Sequence, residues 1–345
     1  MKIAVLGSGS WGTALAKVLA ENGHHVHLWG RDVEQAKQIN QTHINNKYLP
    51  GTVIPDSIIA TTDLVATISD ARIILVVLPT SVIRASMESL NQLLVDGQRP
   101  IIVHATKGLE QGSKLRISQV IEEVLDASLY EALVVLSGPS HAEEVARQDI
   151  TTVAVASHDL SAAEEVQAVF MNKYFRVYTN NDVVGVELGA ALKNIIALGA
   201  GLIEELGYGD NAKAALITRG LAEISRLGVK LGADPLTFIG LSGVGDLIVT
   251  CTSPHSRNWR AGRLIARGYG REEIFSEVQM VVEGILTCKA AYELAREQHI
   301  EMPITEALYR RLYEGASVAE SLEALMMREG KQEVSLQEHL QAEQD

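Results

Sequence analysis

Short aliphatic and β-branched runs alternate with longer mixed stretches through the first half of the chain. The runs occupy residues 3–6, 25–29, 73–78, 101–105, 133–136 and 152–156. Near-continuous apolarity in runs this short predicts strands covered on both faces, as in a parallel sheet flanked by helices. The expected class is α/β, with a doubly wound N-terminal domain. Beyond residues 174–178 the strand pattern stops. Long Ala-, Leu- and Ile-rich segments follow, broken at Gly207-Tyr208-Gly209, Gly232-Ala233-Asp234-Pro235 and Ser253-Pro254, and this half reads as an all-α domain. No repeat or low-complexity linker separates the halves, so the junction near residues 180–190 is a packed one and the active site is expected in the cleft between them. The reading divides the chain into residues 1–185, residues 186–330 and a tail, 331–345. Four acids and no Lys or Arg lie in the last fourteen residues, which predicts a solvated or frayed end.

Chemistry enters first at Gly7-Ser8-Gly9-Ser10-Trp11-Gly12, between the first strand and a helix-forming run. Gly7 permits the tight turn, Gly9 lets the backbone approach a pyrophosphate, and Gly12 lets helix and strand pack closely. The phosphates then sit over free N–H groups at a helix N-terminus. The adenosine ribose is usually read at the end of the second strand, here Gly30-Arg31-Asp32. Arg31 suits a 2′-phosphate, whereas Asp32 suits a free 2′-hydroxyl or an N-cap of the next helix. The cofactor expected is NADP or NAD, with NADP favoured and dual use open.

Lys193 is the only charged residue between Glu187 and Glu204. A helix apolar on nearly all sides is buried, and a buried ammonium needs a partner or a task. Glu187 or Asp246 would serve as a structural partner, while the small neighbours Gly189, Ala190 and Ala197 would leave room for a ligand. Desolvation lowers a lysine pKa toward the working range of a general acid or base, and nearby phosphates raise it. Ser256-Arg257-Asn258, at a helix start after Gly243-Val244-Gly245-Asp246, suits a phosphate group or a solvated cap. Lys107, in Ala105-Thr106-Lys107-Gly108, and the loop Ser137-Gly138-Pro139-Ser140 end two strands and can face the same cleft.

Composition narrows the class. The 345 residues are 47% apolar, and Lys+Arg 30 against Asp+Glu 43 leaves a net charge of −13, which argues against attraction to nucleic acid or an anionic membrane. The longest apolar stretches fall short of the roughly 20 residues a bilayer span needs, and the start of the chain has no secretory pattern. Cys251 and Cys288 lack paired spacing, so neither disulfide nor metal is implied, and a reducing cytoplasm fits. The ten histidines form no metal motif, and no serine-hydrolase elbow occurs.

Six ordered motifs over residues 1–329 make the chain resemble the bacterial NAD(P)-dependent glycerol-3-phosphate dehydrogenases: Gly7 to Thr13, Ala105 to Glu110, Ser137 to Ser140, Glu187 to Asn194, Gly243 to Asp246, and Ser256 to Asn258. The resemblance implies a Rossmann domain followed by a helical domain, and reversible reduction of dihydroxyacetone phosphate to sn-glycerol 3-phosphate for glycerophospholipid synthesis. It implies Lys193 as proton donor and acceptor. Lys107, Gly138, Ser140, Asp246, Ser256, Arg257 and Asn258 fall on substrate contacts. Ser10, Trp11, Arg31, Tyr48, Ala142, Val281 and Glu283 fall on cofactor contacts, with Lys107 and Arg257 shared. The partner expected is a small phosphorylated triose, without nucleic acid or stable membrane insertion, and a homodimer is the candidate assembly. His141 stands in place of an aromatic Phe and Trp259 interrupts a basic run, two departures expected to retune the pocket. Rival readings are a related dehydrogenase of a β-hydroxyacid or sugar nucleotide, the latter needing a cysteine nucleophile, and a dinucleotide sensor without turnover.

Overall fold

The structure, a computed structural model, describes residues 1–95, 97–278, 281–330 and 332–333. Most of the expected acidic tail therefore lies outside the described residues. The N-terminal half runs β1 (Lys2–Leu6), α1 (Ser10–Glu21), β2 (His25–Trp29), α2 (Val33–Thr42), β3 (Ile58–Thr61), α3 (Leu64–Ile68), β4 (Ile73–Val76), α4 (Ile83–Leu93), β5 (Ile101–His104), α5 (Ile117–Val124), β6 (Leu133–Ser137), α6 (Ala142–Ala146), β7 (Thr151–Ala156), α7 (Leu160–Phe170) and β8 (Phe175–Asn180). The second half contains α8 (Val183–Glu205), α9 (Asp210–Lys230), α10 (Asp246–Thr252), α11 (Arg257–Ala266), α12 (Arg271–Val278), α13 (Glu283–Glu297), α14 (Pro303–Tyr309) and α15 (Val318–Met326).

One eight-stranded sheet has the order β3-β2-β1-β4-β5-β6-β7-β8. The order reverses beside β1, which opens a crevice at the carboxyl ends of β1 and β4. Strands such as Ile73–Val76 and Ile101–His104 are buried throughout, because helices cover both faces with two separate apolar layers. Two details differ from the sequence expectation. β3 is an added edge strand whose apolar run, Ile58-Ile59-Ala60, is only three residues long; its burial alternates, with Ile59 49% exposed. β7 lies antiparallel to β6, because the loop and short helix α6 between them turn the chain back along the same sheet.

The helical half is built around α8. Every residue from 185 to 203 is buried, and α8 packs into one cluster with Leu227, Phe238, Leu247, Ile265 and Ile285. By length and composition α8 could cross a bilayer, contrary to the sequence estimate of shorter apolar stretches, yet 94% of its apolar window is buried inside the protein. The boundary expected at residues 185/186 falls in its first turn.

Close approach between helices explains the small residues. A Cβ on Gly201 would lie 1.9 Å from the Trp259 carbonyl oxygen, and one on Gly262 would lie 2.0 Å from that of Leu198. Backbone-on-backbone contact of α8 with α11 therefore requires glycine. Gly262→Ala is expected to lower unfolding stability by about 1–3 kcal/mol, measured by denaturant titration; unchanged stability would contradict the close contact.

Candidate active site

At the switch point, β1 ends in a loop built for an anion. A Cβ on Gly7 (φ +125°) would meet the Val77 carbonyl at 2.3 Å, and one on Gly12 would meet the Gly7 carbonyl at 1.9 Å. Gly9 has nothing within 4 Å of its Cβ position, so its lack of a side chain keeps the approach open. α1 starts without a side-chain cap and without an acid in its first turn, leaving N–H groups at Ser10 and Trp11 for a phosphate. Trp11 Nε1 is buried without a partner among the described residues. These features fit a dinucleotide.

The loop is braced by residues that motif reading missed. Gln35 Nε2 and Asn45 Nδ2 donate to the Ser8 carbonyl at 2.8 and 2.9 Å, and Asn45 also donates to Thr13 Oγ1 at 2.8 Å. Burial of the polar Asn45 is the only signal they leave, and burial is not legible from spacing. At the end of β2, Asp32 caps α2 by accepting from the Gln35 N–H at 3.1 Å and pairs with Lys47 at 3.0 Å. Arg31 is exposed at the cleft and forms no ion pair among the described residues. Tyr48 lines the same end.

The cleft, about 1020 Å³, continues from this loop to α8, α10 and α11. At its floor Lys193 Nζ donates to Asp246 Oδ1 and, at 2.7 Å, to Thr250 Oγ1. Lys107 Nζ donates to Asp246 Oδ2 at 2.8 Å and to the Gly138 carbonyl at 3.1 Å. One buried carboxylate is thus shared by two ammonium groups from opposite halves of the chain. A kink at Gly243 sets Asp246 at the first position of α10, where the helix dipole favours its charge. Burial pushes the Lys193 amine down to about 7; Asp246 opposes the shift and the Lys107 charge adds to it. The two lysines hold the Asp246 carboxyl below its usual range despite burial.

The structure resolves Lys193's partner in favour of Asp246, since Glu187 pairs with Arg116. It also corrects the role of Gly189: a Cβ there would lie 2.5 Å from the Ser242 carbonyl, so the glycine serves packing and leaves no ligand space. Thr250 escaped sequence reading because one turn of α10 separates it from Asp246 and no motif includes it.

The far wall is the N-terminus of α11. Ser256 caps it by accepting from the Trp259 N–H at 3.2 Å. The N–H groups of Arg257 and Asn258 occupy the first two helical positions, which lack intrahelical partners. The Arg257 guanidinium donates to the Val281 carbonyl at 3.3 Å and has no ion pair among the described residues. Burial lowers its pKa, unlike that of a surface arginine. The Asn258 carboxamide bridges Asn194 and the Gly284 N–H, at 2.8 and 2.9 Å. Glu283, its carboxyl raised by burial, accepts from the Thr80 N–H and hydroxyl at 3.1 and 2.8 Å.

Ser140, Ala142, Val281 and Glu283 line the same cleft. Gly138 stands behind the wall: its φ is +140°, a Cβ would lie 2.9 Å from Val153 Cα, and its carbonyl receives Lys107 and Ser140. Its contribution runs through those two side chains. His141 lines the cleft, its ring 5.8 Å from that of His255. Trp259 does not; it is buried in the helical core beneath Arg263, so only the first of the two departures reaches the pocket.

A glycine-rich turn at a sheet switch point, facing a lysine–aspartate pair on a helical domain, defines a dinucleotide-dependent dehydrogenase with Rossmann and helical halves. Family models for the NAD-dependent glycerol-3-phosphate dehydrogenase N-terminus and C-terminus match residues 2–163 and 182–323. The Enterococcus faecalis glycerol-3-phosphate dehydrogenase (NAD(P)+) is 60% identical over 332 residues, 96% of this chain and 97% of that one. The crystal structure of the Coxiella burnetii glycerol-3-phosphate dehydrogenase superposes with a TM-score of 0.89 at 36% identity, covering 95% of this chain and 99% of that one. For the Saccharomyces cerevisiae enzyme the figures are 0.79, 31%, 95% and 99%. The chain belongs to the NAD-dependent glycerol-3-phosphate dehydrogenase family and is an NAD(P)-dependent oxidoreductase.

Gly9→Ala separates a phosphate loop from a merely structural turn. Its backbone (φ −74°) accepts alanine, so stability is expected to hold while the Kd for NADPH rises roughly tenfold, about 1.4 kcal/mol. Calorimetric titration measures this, and an unchanged Kd would contradict the loop's assignment.

Proposed function

We propose that this chain reversibly reduces dihydroxyacetone phosphate to sn-glycerol 3-phosphate with NADPH or NADH, supplying glycerophospholipid synthesis. The observation that carries the reading is Lys193, a buried amine held by Asp246 and Thr250 in the same cleft as Arg257, an arginine at a helix N-terminus that forms no ion pair among the described residues. Residues 1–185 bind the dinucleotide and residues 186–330 the triose. Arg31, without an ion pair among the described residues, receives a 2′-phosphate and favours NADPH, while Asp32 is engaged as a cap. The enzyme is read as a cytoplasmic homodimer without membrane insertion.

The bound nicotinamide supplies or accepts the hydride at the carbonyl carbon. Ser256, the Arg257 guanidinium and the first N–H groups of α11 hold the substrate phosphate. This fixes the carbonyl oxygen toward Lys193 Nζ. Protonated Lys193 donates to that oxygen and gives up its proton as the alcohol forms; the neutral amine takes the proton back in oxidation. Asp246 and Thr250 keep the amine on line, and Lys107 adds positive charge where the oxygen becomes negative. Ser10, Trp11, Tyr48, Ala142, Val281 and Glu283 line the dinucleotide's path.

A sugar-nucleotide dehydrogenase would need a thiol nucleophile. Cys251 and Cys288 are both fully buried, and burial raises both thiols. NAD(P)H absorbance distinguishes the remaining readings: rapid oxidation with dihydroxyacetone phosphate supports this one, another carbonyl a different dehydrogenase, and binding without turnover a sensor.

Lys193→Ala is expected to lower turnover about 10²–10⁴-fold while NADPH affinity holds; near-wild-type turnover would sink the assignment. In the wild-type enzyme, kcat/KM for reduction needs the protonated amine and should fall as pH rises through about 7, whereas oxidation needs the neutral amine and should rise there.

A further inference from the structure

The chemistry leaves the buried carboxylate of Glu187 without a task. Glu187 lies on α8 six residues before Lys193 and is 6% exposed. It accepts from the Ser118 N–H at 2.8 Å, the Ser118 hydroxyl at 2.5 Å and Arg116 Nη1 at 2.5 Å. His104 Nε2 approaches Oε1 to 3.2 Å without hydrogen-bond geometry. These contacts hold the carboxyl ionised, below its ordinary range, against the opposing effect of burial.

The chain positions of these partners are informative. His104 closes β5, and Lys107 follows three residues later. Arg116 precedes α5, and Ser118 lies in its first turn. One carboxylate on the helix of Lys193 therefore grips the Arg116–Ser118 end of the segment 105–115, which carries Lys107, and stands against His104 at the other end. Within that segment Leu109, 1% exposed, packs into the core of the helical half. The segment belongs by sequence to the sheet domain and by contact to the helical half, where Gln111 donates to the Leu286 carbonyl and Lys114 pairs with Glu297, both on α13.

We propose that Glu187 is a positioning residue: by pinning the Arg116–Ser118 end of segment 105–115 to α8, it fixes Lys107 beside Asp246 and so sets the charge environment in which Lys193 exchanges its proton. The inference rests on the acid–base reading of Lys193. Several groups face that amine: Asp246 and Thr250 from α10 with Cys251 beside them, Lys107 from the β5 loop, and His141 from the β6–α6 loop. Among the lysine and carboxylate charges, Lys107 weakens the hold on the proton and Asp246 strengthens it. A segment released from α8 takes the Lys107 charge away and leaves Asp246 to Lys193 alone. The amine then binds its proton more tightly.

A purely structural role for Glu187 predicts something different. Destabilisation reduces the amount of active enzyme at every pH and leaves the inflection of the pH profile in place.

Glu187→Gln, made in the full chain, turns an amide toward donors that need an acceptor. Its kcat/KM for dihydroxyacetone phosphate is expected to fall about 10- to 100-fold, with the inflection moved to higher pH by about half a unit or more. Arg116→Lys in the otherwise wild-type chain, which keeps a cation facing Glu187, should leave the inflection close to its wild-type position. Ser118→Ala, which removes one donor, should move the inflection the same way by less, and it carries the test together with Arg116→Gln if Glu187→Gln does not fold. An inflection unmoved in the variants that fold overturns this inference alone. A wild-type profile without an inflection, together with an active Lys193→Ala enzyme, overturns the acid–base reading and this inference with it.

Discussion

Sharing one carboxylate between two lysines is the interaction on which the site depends. Asp246 is 1% exposed, and it meets Lys107 from the sheet half and Lys193 from the central helix of the other half. Taking such charges out of water costs several kcal/mol per ion, and only close pairing with further hydrogen bonds offsets it. The group of three carries one excess positive charge when both lysines are protonated. Burial lowers the proton affinity of Lys193, with the Lys107 charge adding to it and Asp246 opposing it, and the excess charge attracts an anionic substrate to the pocket.

The rest of the fold brings these groups together. The reversal of strand order beside β1 sets the glycine-rich turn and the ends of β4, β5 and β6 along one edge. Across from that edge stand α8, α10 and α11, with α8 and α11 held at backbone contact by glycines. Two helix N-termini therefore open on one cleft, α1 at the glycine-rich turn and α11 at Ser256 and Arg257. Lys193 lies on neither; it lies in the middle of the most buried helix, where its reach is short and its surroundings are fixed.

Much of this was legible in the sequence, where the signal is local. The glycine turn, the apolar strands, the solitary Lys193 and the cap at Ser256 all depend on neighbours within a few residues. What escaped depends on partners far along the chain. Gln35 and Asn45 brace the Ser8 carbonyl from beyond the second strand, and Thr250 belongs to a helix whose start is set by a kink at Gly243. The choice of Asp246 over Glu187 as partner for Lys193 is a matter of helix facing across domains. Gly189 misled for a related reason: smallness signals room only when nothing packs against it, and here the Ser242 carbonyl does. Edge strand β3 was missed because its apolar run is only three residues long, and the reversal of β7 because antiparallel and parallel strands buried on both sides read alike.

The central claim, that the Lys193 amine meets the reactive oxygen of a phosphorylated triose, is tested most directly by a crystal structure of the ternary complex with NADP+ and dihydroxyacetone phosphate. The account predicts Lys193 Nζ at roughly 2.6–3.2 Å from the carbonyl oxygen, with the phosphate against Ser256 and Arg257. A carbonyl oxygen out of reach of Nζ, with the amine turned wholly to Asp246 and Thr250, would contradict it.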